Sequence, residues 1–415
     1  MTMTARPLAA SLTAALLLAC GSDSNPKPAD PCAGVTAPCT AFPAGTTEDR
    51  IQGAVALAPD GATFVFGAGT FRFANALEVT ANGVTIRGAG RDATVLDFAG
   101  QVGAEGVGAS GDAFTLSDLS IRDTAGNGVK VVGAAGVTIR NVGVSWTRPD
   151  LSTHGGYGIY PVQSTDVLVE GCFTSGATDT GIYVGQSQNI VVRDNEATGN
   201  VAGVEIENSW DADVHGNHLH GNTAGVLVFD LPGLPQQGGH SVRVFDNRIL
   251  DNDHPNFAPA GGIVAIVPAG SGVVVMANHD VEVFGNTIQG NQTAAVGVIS
   301  YLLTGQAPPD GYDPFPRRVH VHGNTISGNG TAPDAATPLG AALGQVRTAL
   351  GADLPDVMWD GIPDPTGSGA NPQEICVAAG ASWLSLGAAS DPWTPDPDDT
   401  AFRCALDPLP AVVLP

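Results

Sequence analysis

A pair of asparagines five positions apart recurs along the chain and constrains the fold more than any other feature of the sequence. The pairs are Asn195/Asn200, Asn217/Asn222, Asn247/Asn252, Asn286/Asn291 and Asn324/Asn329. Their contexts are alike: V-V-R-D-N-E-A-T-G-N, D-V-H-G-N-H-L-H-G-N, R-V-F-D-N-R-I-L-D-N, E-V-F-G-N-T-I-Q-G-N and H-V-H-G-N-T-I-S-G-N. The first asparagines lie 22, 30, 39 and 38 residues apart. A unit near 22 residues with alternating apolar positions and polar corners predicts one coil of a β-solenoid. The longer spacings then hold loop insertions such as Leu231 to Gly239. Asparagine at a corner tolerates left-handed backbone, and stacked amides can hydrogen-bond from coil to coil.

A second segment recurs in phase with the first. It reads G-V-K-V-V-G-A from Gly128, G-I-Y-P-V-Q-S from Gly158, G-I-Y-V-G-Q-S from Gly181, G-V-E-I-E-N-S from Gly203, G-V-L-V-F-D-L from Gly225 and G-I-V-A-I-V-P from Gly262. Its second and fourth positions are aliphatic or small, so they face the core and the third and fifth face out. Roughly ten coils stacked at ~4.8 Å would make a rod on the order of 50 Å.

Both ends look capped. Thr46-Thr47-Glu48-Asp49 opens a short amphipathic helix through Ala58 with N-cap chemistry and early acids, which would cover the open end of a solenoid. Leu339, Leu343, Val346 and Leu350 fall at helical spacing near the exit. Cys32 and Cys39 lie close together early, and Cys376 and Cys404 lie in the tail. Two disulfides, most simply Cys32–Cys39 and Cys376–Cys404, would suit an oxidising compartment, with crossed pairing between the termini left open by the sequence. Cys172 reads as a buried free thiol.

The first residues describe an export signal. Arg6 precedes an apolar run from Leu8 to Ala19 that ends in Leu17-Leu18-Ala19-Cys20, resembling a bacterial lipobox with Cys20 as the lipidated first residue of the mature chain. The reading is therefore a cell-envelope lipoprotein, in the outer membrane, touching membrane only through its anchor and otherwise monomeric. With 17 Lys+Arg against 41 Asp+Glu, a net charge of −24, there is no basic stripe for nucleic acid. The expected organisation is a signal peptide over 1–19, a tether over 20–44, a capping helix over 45–61, the solenoid over 62–330 and a C-terminal extension over 331–415.

The entrance D-G-A-T-F-V-F-G-A-G-T-F and V-T-I-R-G-A-G-R-D-A-T-V-L-D resemble the pectin-lyase-like right-handed parallel β-helix superfamily. S-G-A-T-D-T-G-I-Y-V-G-Q-S, N-V-A-G-V-E-I-E-N-S and L-V-F-D-L-P-G-L-P are similar to a narrower exported bacterial group of parallel β-helix repeat-containing proteins. The resemblance implies an all-β fold: a single-stranded right-handed parallel β-helix with an N-terminal capping helix and a small disulfide-tied C-terminal extension. The superfamily is rich in polysaccharide lyases, hydrolases, esterases and epimerases but includes non-catalytic members, so it leaves the activity open. The narrower group implies a second partner, a neighbouring exported protein.

The outward columns of the second segment supply the candidate site. Neighbouring coils should bring Tyr160, Tyr183, Gln163, Gln186, Glu205, Glu207, Asn208 and Asp230 onto one face, with Asp179 at its edge and Lys130 at its end. Rings stack on the C–H face of a sugar while amides and carboxylates take its hydroxyls, so the expectation is polysaccharide binding, with or without catalysis. The alternatives are a polysaccharide lyase, hydrolase or epimerase, and a scaffold for another exported protein. Glu205 and Glu207 alternate on one strand face, roughly 6.5–7 Å apart along the strand, within the ~5–9.5 Å span of a glycosidase pair. Like charges that close raise one pKa. Asp179, Glu205 and Glu207 are also the candidate ligands for Ca²⁺. The aspartate-pair motifs of the superfamily's enzymes are missing. His218 and His220 share an outward face as weaker candidates for a transition metal.

Overall fold

The computed structural model describes Thr2, residues 30–35 and residues 38–415. The expected signal peptide and the lipidation of Cys20 lie outside the described residues.

Each regular coil contributes three parallel strands, and each strand pairs with its equivalent on the neighbouring coils. Thr180–Gly185, Gln188–Arg193 and Glu196–Thr198 are followed by Ala202–Glu207, Trp210–His215 and His218–His220. The register joins Thr180 to Ala202, Gln188 to Trp210 and Glu196 to His218, one 22-residue coil apart. The first strands of the coils build an 11-stranded parallel sheet, and the second and third strands build the rest of the wall. The connections follow the right-handed rule for parallel crossovers.

The inward columns are close-packed aliphatics. Ile159, Ile182, Val204, Val226 and Val273 stack in one column, and Val167, Ile190, Ala212, Val242 and Val281 in another, each 0–1% exposed. Each Val or Ile so buried contributes about 1.5–3 kcal/mol relative to leaving it exposed. The segment from Gly262 is an exception to the expected phase. Ile263–Ile266 is a 3₁₀ turn within an insertion, and the strand of that coil is Ser271–Met276. An apolar run without a ladder partner in register gains no strand hydrogen bonds, so composition alone misplaced it.

The asparagines form two continuous ladders. Asn195, Asn217, Asn247, Asn286 and Asn324 make one, and Asn200, Asn222, Asn252, Asn291 and Asn329 the other. Within each, Nδ2 donates to the next Oδ1 at 2.9–3.0 Å and to a backbone carbonyl of the preceding coil, while the backbone N–H donates to the same next Oδ1. The left-handed residue is not the asparagine but the one before it. Asp194, Gly216, Asp246, Gly285 and Gly323 have φ of 56°, 67°, 53°, 65° and 61°. The D-N and G-N dipeptides divide the work: Asp or Gly turns the chain, and Asn turns inward to bond.

At the entrance, helix α1 (Glu48–Ala56) buries Ile51 and Val55 over the first coils. Thr47 does not cap it through its side chain; instead the Glu48 carboxylate accepts from the Ala74 and Asn75 amides at 2.9 and 3.0 Å, tying the helix to the first coils. The ladder includes Cys39–Phe42, which pairs with Thr63–Phe66, and continues through Val357–Trp359 and Trp383–Ser385. Helix α2 (Pro338–Leu350) packs Leu343 and Val346 against Met358 and Leu384. Cys32–Cys39 and Cys376–Cys404 are disulfides and Cys172 is a buried free thiol. The final residues run back along the wall: the Leu409 amide donates to Glu282 at 3.3 Å and the Val412 amide to Asp213 at 3.2 Å.

Candidate functional site

The outward face of the 11-stranded sheet holds the expected column. Lys130, Tyr160, Tyr183, Glu205 and Leu227 follow one another on successive coils, with Glu207 and Phe229 beside them. The alternation of the sheet puts these side chains outside the core, since Ile182, Val184, Val204 and Ile206 fill the interior.

Outward does not mean exposed. Glu205 is 1% exposed, Tyr183 3% and Glu207 8%. Glu205 stands in the ladder between Tyr183 on one coil and Leu227 on the next, and these large neighbours close over it. Tyr183 lies across Gly185, where any Cβ would meet its ring and hydroxyl, and its hydroxyl donates to Glu207 Oε1 at 2.6 Å. The open strip of polar groups expected from the sequence is therefore a packed cluster with an accessible rim.

The rim is aromatic. Tyr157 and Tyr160 stack with centroids 4.4 Å apart and 9° between planes, and each lies 4.9 Å from Tyr183. Tyr157 and Tyr160 remain half-buried. Tyr157 occupies the position just before the recurring glycine, in register with Thr180. Extending the repeated segment by one residue toward the N-terminus would have found it.

Beneath the rings sit three carboxyl groups, one of them with an oxygen that has no partner. Thr180 Oγ1 lies 2.7 Å from Glu205 Oε2 and 3.0 Å from Asp179 Oδ1. A hydroxyl has one proton to give, so both contacts are hydrogen bonds only if one carboxyl is itself protonated. Glu205 Oε1 is buried with no partner. Burial, reinforced by the Glu207 and Asp179 charges, holds the Glu205 carboxyl well above the usual range. Burial pushes Glu207 up to about 7 despite the Tyr183 bond, and Asp179 up to about 6. Burial and the same acids raise all three tyrosines, so the rings stay neutral.

The remaining candidates do other work. Asn208, fully buried, anchors the 231–239 loop by donating to the Leu231 and Gln236 carbonyls and accepting from the Leu231 amide. Asp230, 2% exposed, accepts from the Gly239 amide at 2.7 Å and closes the same loop. Neither presents its side chain to a ligand. Gln163 and Gln186 take left-handed corners and bond to one another at 3.3 Å along the edge of the face. Lys130 is paired with Glu105 at 3.0 Å rather than free to neutralise an acidic sugar.

One apolar cavity of about 150 Å³ lies farther along the same face, lined by Phe229, Val274, Met276, Ile299, Leu343 and Met358 among others. Asp179, Glu205 and Glu207 do not converge as a cation cage. Two groups of described residues bring three potential ligand atoms within 4.8 Å of one another, and both lie on the other wall: Glu196 with His218 and His220, and Glu282 with His320 and His322.

Residues 102–267 match the family model described as a right handed beta helix region. No curated protein matches the sequence. Among solved structures, a mannuronan C-5 epimerase A-module from Azotobacter vinelandii is similar at 17% identity and a TM-score of 0.47, over 80% of this chain and 89% of that one. An alginate lyase from Paenibacillus sp. is similar at 16% identity and a TM-score of 0.40, over 70% and 94%. A tailspike protein of E. coli bacteriophage HK620, solved with a pentasaccharide, is similar at 13% identity and a TM-score of 0.43, over 78% and 58%. On the ladder of parallel coils and the matched segment together, the chain folds as a right-handed parallel β-helix.

Proposed function

We propose that the protein binds polysaccharide on the outward face of its 11-stranded sheet, with Tyr157 and Tyr160 as the stacking platform and the Asp179 and Glu207 carboxyls beneath them as the polar partners. The observation that carries this reading is the three-tyrosine packing on a face where the solenoid core gains nothing from it. Aromatic rings accept the apolar face of a pyranose, and carboxyl groups held near half-protonation can both donate to and accept from its hydroxyls. A long polymer suits the site because each contact is weak and several must add. In this reading the protein is a monomeric lipoprotein, anchored at Cys20 in the cell envelope and facing its glycan from the outer membrane. A neighbouring exported protein would share the surface.

A second reading, catalysis, is favoured by one observation: Glu207 is pushed up to about 7, where a carboxyl can act as both general acid and general base. Glu205, 1% exposed and closed over by its neighbours, is not placed to meet a substrate. The binding reading requires no resident cation. A Ca²⁺ ion would have to be shared between the rim and an acidic sugar.

Full mature protein titrated with a panel of neutral and acidic polysaccharides, with and without Ca²⁺, tests both readings. Tyr160→Ala is expected to weaken binding about 10–100-fold, since stacking on an aromatic ring is typically worth 1–3 kcal/mol. Unchanged binding in Tyr160→Ala sinks the site. Release of unsaturated sugars or reducing ends that Glu207→Gln abolishes, with binding retained, establishes the second reading over the first.

A further inference from the structure

The two histidine groups on the other wall are built to the same plan. In each, a glutamate on one coil stands directly opposite the first histidine of a His-X-His strand on the next: Glu196 opposite His218, and Glu282 opposite His320. In each, the second histidine reaches diagonally to that glutamate: His220 Nε2 to Glu196 Oε1 at 3.3 Å, and His322 Nε2 to Glu282 Oε1 at 2.9 Å. In each, the two rings lie against one another, with centroids 4.3 and 4.2 Å apart. Alternate residues of a strand share a face, so His-X-His offers two nitrogens to one point, and the facing strand of a parallel ladder supplies a carboxylate to the same point.

The surroundings separate the two. His218 is followed in its column by Arg248, a fixed cation in register on the next coil, and Glu196 is half exposed. His320 is followed by Cys376, a buried disulfide sulfur. Glu282 is 5% exposed, and the one arginine in its column, Arg243, is already held by both oxygens of Asp213. His320 Nδ1 is buried with no hydrogen-bond partner. The returning C-terminal tail covers Glu282 and His320, and beneath Leu406, Asp407 and Leu409 it leaves a void of about 10 Å³ lined by those two residues with Asp280, Val281 and Arg318, His322 lying outside it. A void of that size holds about one small atom or ion. Arg318 also borders it, but its guanidinium is engaged by Asp280 at 2.6 Å and Glu374 at 3.3 Å.

We infer that Glu282, His320 and His322 form a binding site for a borderline divalent transition cation, Zn²⁺ being the best fit, roofed by the C-terminal tail. Two imidazoles and a carboxylate are a common three-residue donor set for zinc, with water in the fourth position. The site lies on a different wall from the tyrosine face and does not depend on the glycan reading.

The test is Zn²⁺ titration of the full mature protein against a competing chromophoric chelator, with Co²⁺ absorption as the reporter of coordination. Wild type is expected to take up one equivalent of Zn²⁺ and to give the intense visible bands of tetrahedral Co²⁺. His320→Ala and His322→Ala are each expected to lose at least 100-fold in affinity, and Glu282→Gln about 10-fold. The double variant His218→Ala/His220→Ala is expected to bind as wild type does. Each variant's far-UV circular dichroism is compared with wild type, and Glu282→Gln keeps the shape of the side chain in case the alanine variants unfold. No uptake by wild type, or uptake lost in the His218/His220 variant and retained in the His320 and His322 variants, overturns the assignment.

Discussion

Two sets of buried polar groups line this solenoid, and they are treated in opposite ways. The asparagine ladders are sealed and complete: each interior Nδ2 has its carbonyl acceptors and each Oδ1 takes two donors from the coil before. The acid cluster of Asp179, Glu205 and Glu207 is nearly as well buried, yet it leaves one carboxyl oxygen without a partner and sets like charges against one another. A satisfied buried amide is nearly neutral or stabilising, whereas an unsatisfied acid costs stability. The difference teaches where to look for function: the fold could fill positions 205 and 207 with apolar side chains, as the next coil does with Leu227 and Phe229, and this chain does not.

The largest effect is expected from breaking a ladder in its middle. Asn222→Ala would orphan the backbone amide of Asn200 and one of its two Nδ2 protons, and with two donor bonds at about 1–3 kcal/mol each the loss should be ~3 kcal/mol or more. Urea unfolding at fixed pH measures it. A loss under ~1 kcal/mol would mean the ladder is ornamental to stability.

A second comparison is by pH. Glu207 folds with its pKa at about 7, above its unfolded value near 4.5, so in the range between them the folded state binds more protons than the unfolded. Stability is therefore highest below the unfolded value and falls as pH rises toward 7. For this one group the cost is about 3 kcal/mol once both states are ionised. Asp179, pushed up to about 6, works in the same direction and is not independent of it. Denaturation midpoints taken from pH 4 to pH 8 should fall with pH in wild type and fall less in Glu205→Gln/Glu207→Gln. Asn222→Ala should shift the whole curve down without changing its slope. Equal slopes in all three proteins would remove the acid cluster from the explanation.

Smaller is the contrast between the two rings of the rim. Tyr183 is buried and bonded to Glu207, so Tyr183→Phe should cost about 1–2 kcal/mol through the orphaned carboxyl oxygen. Tyr160→Phe, half-exposed and without a hydroxyl bond among the described residues, should change stability by less than ~0.5 kcal/mol. A reversal of that order in thermal melts would place the accessible rim on the wrong side of the platform.

Much of this was legible in the residues. The five asparagine pairs fixed the coil period and foretold the ladders. The inward aliphatics fixed the phase, so Lys130, Tyr160, Tyr183, Glu205 and Leu227 could be placed in one column, and cysteine proximity favoured the two disulfides that form. These follow from local rules: a two-residue alternation decides which wall a side chain leaves from, and a repeat decides what lies above it. What those rules cannot state is what covers a wall. Whether Glu205 meets water depends on Tyr183 and Leu227 on adjacent coils. Whether Asn208 and Asp230 are free depends on where the 231–239 loop folds back. The enclosure of Glu282 depends on a tail 127 residues away in sequence. The sequence by itself determined period, phase and ladder. Only the tertiary structure decided burial, because burial is a property of the neighbours that arrive from elsewhere in the chain.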